Sequence, residues 1–177
     1  MTAETPDSRR PLRVQFIHGL ESSPQGTKAR RLAARFESLA PPMDTGDFEG
    51  CVRSQAEVLG GFRPDVVVGS SFGGAVAVAL LQRRLWSGPT LLLAQAALRY
   101  GLPLELPDAG PIWLVHGLSD AIVDPEDSRR LAGVGDPARV RLILVDDDHR
   151  LSRSVAGGSL EAWVSELAAR TAAAADG

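Results

Sequence analysis

Asp65-Val66-Val67-Val68-Gly69-Ser70-Ser71-Phe72-Gly73-Gly74 is the stretch that decides the fold. Three consecutive valines read as a strand covered on both faces, the habit of a parallel sheet. The residues from Gly73 to Trp86 read as a helix. Between the two lies a G-x-S-x-G, Gly69 to Gly73. The bare pattern is weak, but a strand running straight in and a helix running straight out supply the context of a nucleophile elbow. Such a turn lifts the Ser71 hydroxyl clear of the sheet. Gly69 and Gly73 stand where it leaves no space for side chains, and the N–H of Phe72 faces the position of a developing oxyanion.

Outward from this point, short apolar runs alternate with amphipathic ones. Strands are predicted at Val14–Ile17, weakly at Pro42–Thr45, and at Thr90–Ala94, Ile112–Val115 and Val140–Val145. Helices are predicted at Lys28–Leu39, Val52–Leu59, Pro125–Leu131 and Leu160–Arg170. Six strands separated by helices imply an α/β protein, a three-layer α/β/α sandwich around a mainly parallel sheet. One domain is expected over residues 13–170, with 1–12 a disordered leader and 171–177 a frayed tail. In such sheets ligands bind beyond the carboxyl ends of the strands, so the residues just after each strand carry the functional reading.

A serine hydroxyl needs a base, and the chain has three histidines, His18, His116 and His149. All three fall at or just after the end of a predicted strand. His149, after the last strand, is the natural base. His18 precedes Gly19 in the loop after the first strand, where the second oxyanion donor would be built. The backbone N–H of Leu20 is that donor, and the His18 ring braces the loop. His116 is read as structural. The acid that orients the base is Asp120, five residues beyond its strand. Asp124 reads instead as a helix N-cap ahead of Pro125, and Asp146, Asp147 and Asp148 as turn and surface charge. The order Ser71, Asp120, His149 is that of an α/β-hydrolase and not of the other protease orders.

Composition bounds the alternatives. The 177 residues are 44% hydrophobic and 23% charged, with a formal net charge of -3, so no broad basic surface exists for nucleic acid. The single cysteine, Cys51, has no partner for an intrachain disulfide. No apolar run approaches the roughly 18 residues of a membrane span, and no signal peptide is recognisable, so a cytoplasmic protein is expected. Lys28 is the only lysine beside eighteen arginines.

With these residues in place, the chain resembles the α/β-hydrolases, and among them the small bacterial esterases of the YqiA type. Phe16-Ile17-His18-Gly19-Leu20-Glu21-Ser22-Ser23-Pro24-Gln25-Gly26-Thr27-Lys28-Ala29 is similar to that family's opening segment. Gly69 to Gly74 resembles its G-S-S-x-G-G elbow, Asp120 with Asp124 its acid segment, and Asp148-His149 its histidine. The resemblance spans roughly residues 13 to 170 and implies a compact esterase without cofactor or metal, acting on short acyl esters. The stretch Gln95 to Pro111 is too short for a cap domain. Its leucines, Leu102, Leu104 and Leu106, either line an acyl pocket or are buried in a connecting loop. Lys28 falls on the motif's lysine, where it anchors an anionic substrate, braces the oxyanion loop or is simply solvated.

The expected function is a serine hydrolase that cleaves small carboxylic esters or thioesters through Ser71, His149 and Asp120, with an acyl-enzyme intermediate. Its oxyanion and substrate-binding residues are Leu20, Phe72, His18 and Gly19. The expectation from another class is a catalytically silent hydrolase-fold protein that binds a small ligand or a protein partner. Oligomeric state is not legible.

Overall fold

A computed structural model describes residues 10–175. Six strands form one sheet: β1 (Arg13–Ile17), β2 (Glu37–Leu39), β3 (Val66–Ser70), β4 (Thr90–Leu93), β5 (Ile112–Gly117) and β6 (Val140–Val145). Their order is β2-β1-β3-β4-β5-β6, and every neighbouring pair is parallel. Six helices surround it: α1 (Thr27–Arg35), α2 (Phe48–Phe62), α3 (Phe72–Gln82), α4 (Pro125–Gly133), α5 (Ser152–Ala156) and α6 (Ser159–Ala175).

The strand alternation sorts the core into two halves. Val67, Leu92, Ile112 and Leu114 face α2, α3 and α4. Val66, Val68, Leu91, Leu93, Trp113 and Val115 face α1, α5 and α6. Successive strand residues point to opposite faces, so an unbroken apolar run such as Val66-Val67-Val68 serves both layers at once. Helix α3 is buried along its length from Phe72 to Leu81, as expected of a helix apolar all round and enclosed by its neighbours. The three-layer sandwich is as the sequence reading had it.

Some boundaries differ from that reading. The helix expected to reach Leu39 stops at Arg35; the N–H of Phe36 closes on the Leu32 carbonyl, and the chain goes extended. The N–H of Glu37 then pairs with the Leu12 carbonyl, so the sixth strand is Glu37–Leu39 and not Pro42–Thr45. Helix α3 ends at Gln82, four residues short of Trp86, where Arg84 adopts φ 57° and turns the chain. The short helix α5 had no counterpart in the sequence reading, and α6 continues past Arg170 to Ala175. Of the leader expected over 1–12, residues 1–9 lie outside the described residues, as do 176–177 of the expected tail. Arg10, inside that leader, pairs with Asp65 at 2.6 Å.

Helix α3 begins hard against the end of β1. A methyl group added at Gly73 would fall on the carbonyl oxygen of Ile17 and within 2.6 Å of that of His18. One added at Gly69 would meet the Gly73 carbonyl oxygen at 2.5 Å and Ala77 Cβ at 2.9 Å. Neither backbone has room to give. Gly60, in the last turn of α2, has nothing within 4 Å of the same position. The two sites should therefore respond oppositely. Gly73→Ala is expected to lower stability by about 2 kcal/mol or more through overpacking. Gly60→Ala should raise it by about 0.5–1 kcal/mol through helix propensity. Urea midpoints measure both, and an unchanged Gly73→Ala midpoint would refute the close approach.

Candidate active site

The site is built at the carboxyl ends of the strands, from the loops after β1, β3, β5 and β6. Ser71 occupies the single residue between β3 and α3 with φ 55° and ψ −114°. That is a left-handed conformation rarely tolerated by a residue with a Cβ, and it costs about 1–3 kcal/mol. It is held by the N–H of Ser71 donating to the Leu93 carbonyl, and by the Ser71 carbonyl accepting from Ala75 and Ala96.

Three side chains form a line. The Ser71 hydroxyl lies 3.0 Å from His149 Nε2, and His149 Nδ1 lies 2.7 Å from Asp120 Oδ2. The His149 side chain is 18% exposed, whereas that of Asp120 is wholly buried. The other oxygen, Asp120 Oδ1, accepts from the backbone N–H groups of Ile122 and Val123 at 2.8 and 2.9 Å. Burial pushes the Asp120 carboxyl up. The Val123 N–H, the His149 imidazole and the Ile122 N–H outweigh it and hold the group below the usual carboxylate range. An ionised acid therefore faces Nδ1 and sets Nε2 as the proton acceptor towards Ser71.

On the other side of Ser71 the loop after β1 approaches closely. A methyl at Gly19 would stand 3.3 Å from Ser71 Cβ and 4.0 Å from its Oγ. Leu20 follows it, with its side chain exposed. Phe72 starts α3, and its N–H, like that of Leu20, makes no hydrogen bond among the described residues. His18 is buried. Its Nδ1–H donates to the Gly19 carbonyl at 2.8 Å, and its Nε2 has no partner among the described residues. Asp124 caps α4 by accepting from the Glu126 N–H, as its place before Pro125 predicts.

One part of the sequence reading needs correction. Asp147 is not surface charge. It is 5% exposed and accepts from the N–H groups of Asp148, Arg153 and Ser154 and from the Ser154 hydroxyl. With Asp148, which accepts from the N–H and hydroxyl of Ser152, it ties the His149 loop to α5. The signal was present in the sequence, as Asp147 stands seven residues before Ser154, but it needs α5 to be read. Of the two readings of the leucines between β4 and β5, Leu104 and Leu106 follow the connecting loop. Leu104 and Leu106 line a cavity of about 320 Å³ with Gln82 and Val134, at the far end of α3. That is about 16 Å of helix away from Ser71. Gln82 fastens their loop by donating to the Pro103 and Glu105 carbonyls.

Also unread in the sequence was the partner of His116. Its Nε2 lies 2.9 Å from Asp120 Oδ2, the oxygen that faces His149. Lys28 is half-buried on α1. Burial pulls its ammonium pKa down against the raising effect of Asp148, and it makes no ion pair among the described residues. No cluster of His, Cys, Asp and Glu suited to a metal ion occurs among the described residues, and no helix there is long and apolar enough to cross a membrane.

No family model matches the chain, and no curated protein does. Solved structures do. A member of the α/β hydrolase superfamily from Xanthomonas campestris is 26% identical, covers 88% of this chain and 96% of its own, and superposes with a TM-score of 0.69. The chain belongs to the α/β-hydrolase superfamily. Two further solved structures share the fold. An α/β serine hydrolase without lid from Xanthomonas campestris is 20% identical, with 92% and 85% of the two chains covered and a TM-score of 0.64. An esterase from Pyrococcus furiosus is 18% identical, with 90% and 82% covered and a TM-score of 0.65. This α/β-hydrolase likewise carries no lid among its described residues: Ala94–Pro111 holds only a 3₁₀ turn, Ala97–Tyr100, and a loop.

The buried Asp147 makes the loop that carries His149 sensitive to acid. Its carboxyl is lowered from the ordinary 3.8 to about 2, because donors from Ser154, Asp148 and Arg153 outweigh the opposing effect of burial. A depressed folded-state pKa contributes stability above the unfolded value, and that contribution disappears as pH falls towards 2. Asp147→Ala is expected to cost about 1–3 kcal/mol at pH 7, with the difference from wild type shrinking below pH 4. Unfolding curves at pH 7, 4 and 2.5 test it. A difference that stays constant with pH would refute the ionised buried carboxylate.

Proposed function

We propose that this protein is a serine hydrolase of the carboxylesterase type, cleaving small carboxylic esters or thioesters through an acyl-enzyme. The observation that carries the reading is the continuous hydrogen-bonded line from Ser71 Oγ through His149 to Asp120, at 3.0 and 2.7 Å. The esterase and serine-hydrolase neighbours support it, as does the resemblance of the His18–Ala29 segment to the small bacterial esterases.

In the first half of the reaction, His149 Nε2 takes the Ser71 proton as Oγ bonds to the carbonyl carbon. The carbonyl electron pair moves to oxygen, and that oxyanion accepts from the N–H groups of Phe72 and Leu20. The intermediate collapses by breaking the bond to the alcohol or thiol, which leaves with the proton from His149. In the second half, water gives its proton to His149 and attacks the acyl carbon. The carboxylic acid leaves, and Ser71 regains its proton. Asp120 stays ionised throughout and stabilises the imidazolium formed in each half.

Two of the loops that border Ser71 present apolar side chains. Leu20, Leu118 and Ile122 stand 54%, 52% and 56% exposed on the loops after β1 and β5. Esters with apolar acyl or alcohol groups match that rim better than highly charged ones.

Labelling by a fluorophosphonate probe is the direct test. Wild type should label rapidly, Ser71→Ala not at all, and His149→Ala at least about a thousandfold more slowly. A folded wild type that fails to label would sink the serine-hydrolase reading and favour a non-catalytic binder. Turnover of aryl ester, acyl-CoA and anilide should fall in that order, and faster anilide hydrolysis would replace the esterase assignment with an amidase.

A further inference from the structure

Behind the acid lies a buried chain of side chains that the reaction as described does not use. Gln95 follows β4, His116 is in β5 and Ser128 is on α4; all three are fully buried. Gln95 Oε1 accepts from the N–H of Ala97 at 2.8 Å, which turns the amide nitrogen towards Ser128 Oγ at 3.1 Å. Ser128 Oγ lies 2.8 Å from His116 Nδ1. His116 Nε2 lies 2.9 Å from Asp120 Oδ2 and 3.0 Å from the Val123 carbonyl oxygen.

The proton at the acid end of this chain is fixed. His116 Nε2 faces two oxygens, a carboxylate and a carbonyl, that can only accept, so Nε2 carries a proton. At the other end Ser128 Oγ accepts from the Gln95 amide and holds Nδ1 of the ring. His116 Nε2–H therefore donates to the same oxygen that receives His149 Nδ1–H. With Ile122 and Val123 on Oδ1, the Asp120 carboxylate has four N–H donors and no freedom to rotate.

We infer that His116, oriented by Ser128 and Gln95, is a positioning residue that holds Asp120 Oδ2 on the line to His149 and moderates the charge it presents there. This rests on the serine-hydrolase reading. Two consequences follow for the reaction. With the His116 donor removed, Asp120 is freer to turn away from His149, which lowers kcat without touching substrate. Its Oδ2 also becomes a stronger partner for the imidazolium, which raises the pKa of His149 and moves the acid limb of kcat/KM to higher pH. The same chain joins the acid to the nucleophile turn. Gln95 lies beside Gly74 of α3, and the N–H of the next residue, Ala96, donates to the Ser71 carbonyl.

The test compares His116→Leu, which removes the donor, with His116→Gln, whose amide nitrogen can take the place of Nε2. Ser128→Ala removes the group that orients the ring. His116→Leu should lose about tenfold or more in kcat with KM nearly unchanged, and its acid limb should rise by about half a pH unit. His116→Gln should restore the limb and most of kcat, and Ser128→Ala should fall between. Nitrogen NMR of the imidazoles in a Ser71→Ala background gives the same readout without activity. There His116 should keep its proton on Nε2 across the titration, and His149 should titrate higher when His116 is Leu. The other ionisable groups on the elements around His149 are Asp146, Asp147, Asp148 and Arg150 on its own loop, Arg153 on α5, Lys28 on α1, and His18 and Glu21 after β1. None changes between these variants.

A folded His116→Leu with the wild-type limb and kcat would overturn the inference, and so would equal losses in the Leu and Gln variants, because ring volume alone would explain them. If His116→Leu does not fold, the Gln and Ser128→Ala variants and the NMR tautomer still decide it. A wild type that fails to label with fluorophosphonate would overturn the hydrolase reading instead, and the titration of His149 would then judge the Asp120 contact by itself.

Discussion

One turn of backbone governs the rest of the molecule: β3 becomes α3 with a single residue, Ser71, between them. That brevity forces φ of Ser71 to 55° and presses the first turn of α3 against the carbonyls that end β1. Only residues without side chains fit at Gly69 and Gly73. The strain is offset because both elements joined by the turn are almost entirely apolar and enclosed, β3 at the centre of the sheet and α3 at the centre of one face. Because α3 sits so close to β1, the loop that leaves β1 is delivered to the serine as well. Gly19 stands against Ser71, and Leu20 follows with an N–H that has no partner among the described residues. The candidate nucleophile and the candidate oxyanion donors are thus products of the same close approach.

The second half of the site comes from strand register. β5 and β6 pair in parallel up to Gly117 opposite Val145, so the loops that leave them run side by side. Gly117 lacks a side chain where the carbonyls of Asp147 and Asp148 pass over it, and the Ser119 N–H donates to Asp147. His149 is therefore carried across to Asp120, 29 residues away in sequence. The two candidate functional groups with the greatest need of precision are positioned by backbone ladders and buried carboxylate contacts, which hold geometry better than mobile surface pairs. Their shared oxygen, Asp120 Oδ2, faces a half-buried imidazole on one side and a fully buried one on the other.

The connection between β4 and β5 is short and packs along α3. Ala94–Pro111 turns once as a 3₁₀ helix, beside the stacked rings of Phe48 and Tyr100, and then runs away along α3. Its Pro103 and Glu105 carbonyls are fastened to Gln82, with Leu104 and Leu106 at the far end of α3. Its Tyr100 packs edge-on against Phe72, next to Ser71, while Leu20, Leu118 and Ile122 stand exposed on the loops after β1 and β5.

The sequence by itself determined the elements with strong local signals. Val66–Val68 with its elbow, the helix capped by Asp124 and Pro125, and the order Ser71, Asp120, His149 are legible because turn sterics, capping and strand patterning act over a few residues. So was the three-layer class, since strand and helix alternate. Local patterning misplaced the edge strand, where Phe36 to Leu39 continues the helical spacing but the chain is captured by backbone pairing beside Leu12. It also could not show that Asp147 is buried, that Leu104 and Leu106 lie at the far end of α3, or that His116 shares an oxygen with His149. Each of these depends on which surfaces meet after folding. A buried carboxylate or imidazole is defined by donors that come from other elements, and only the tertiary structure brings those within 3 Å.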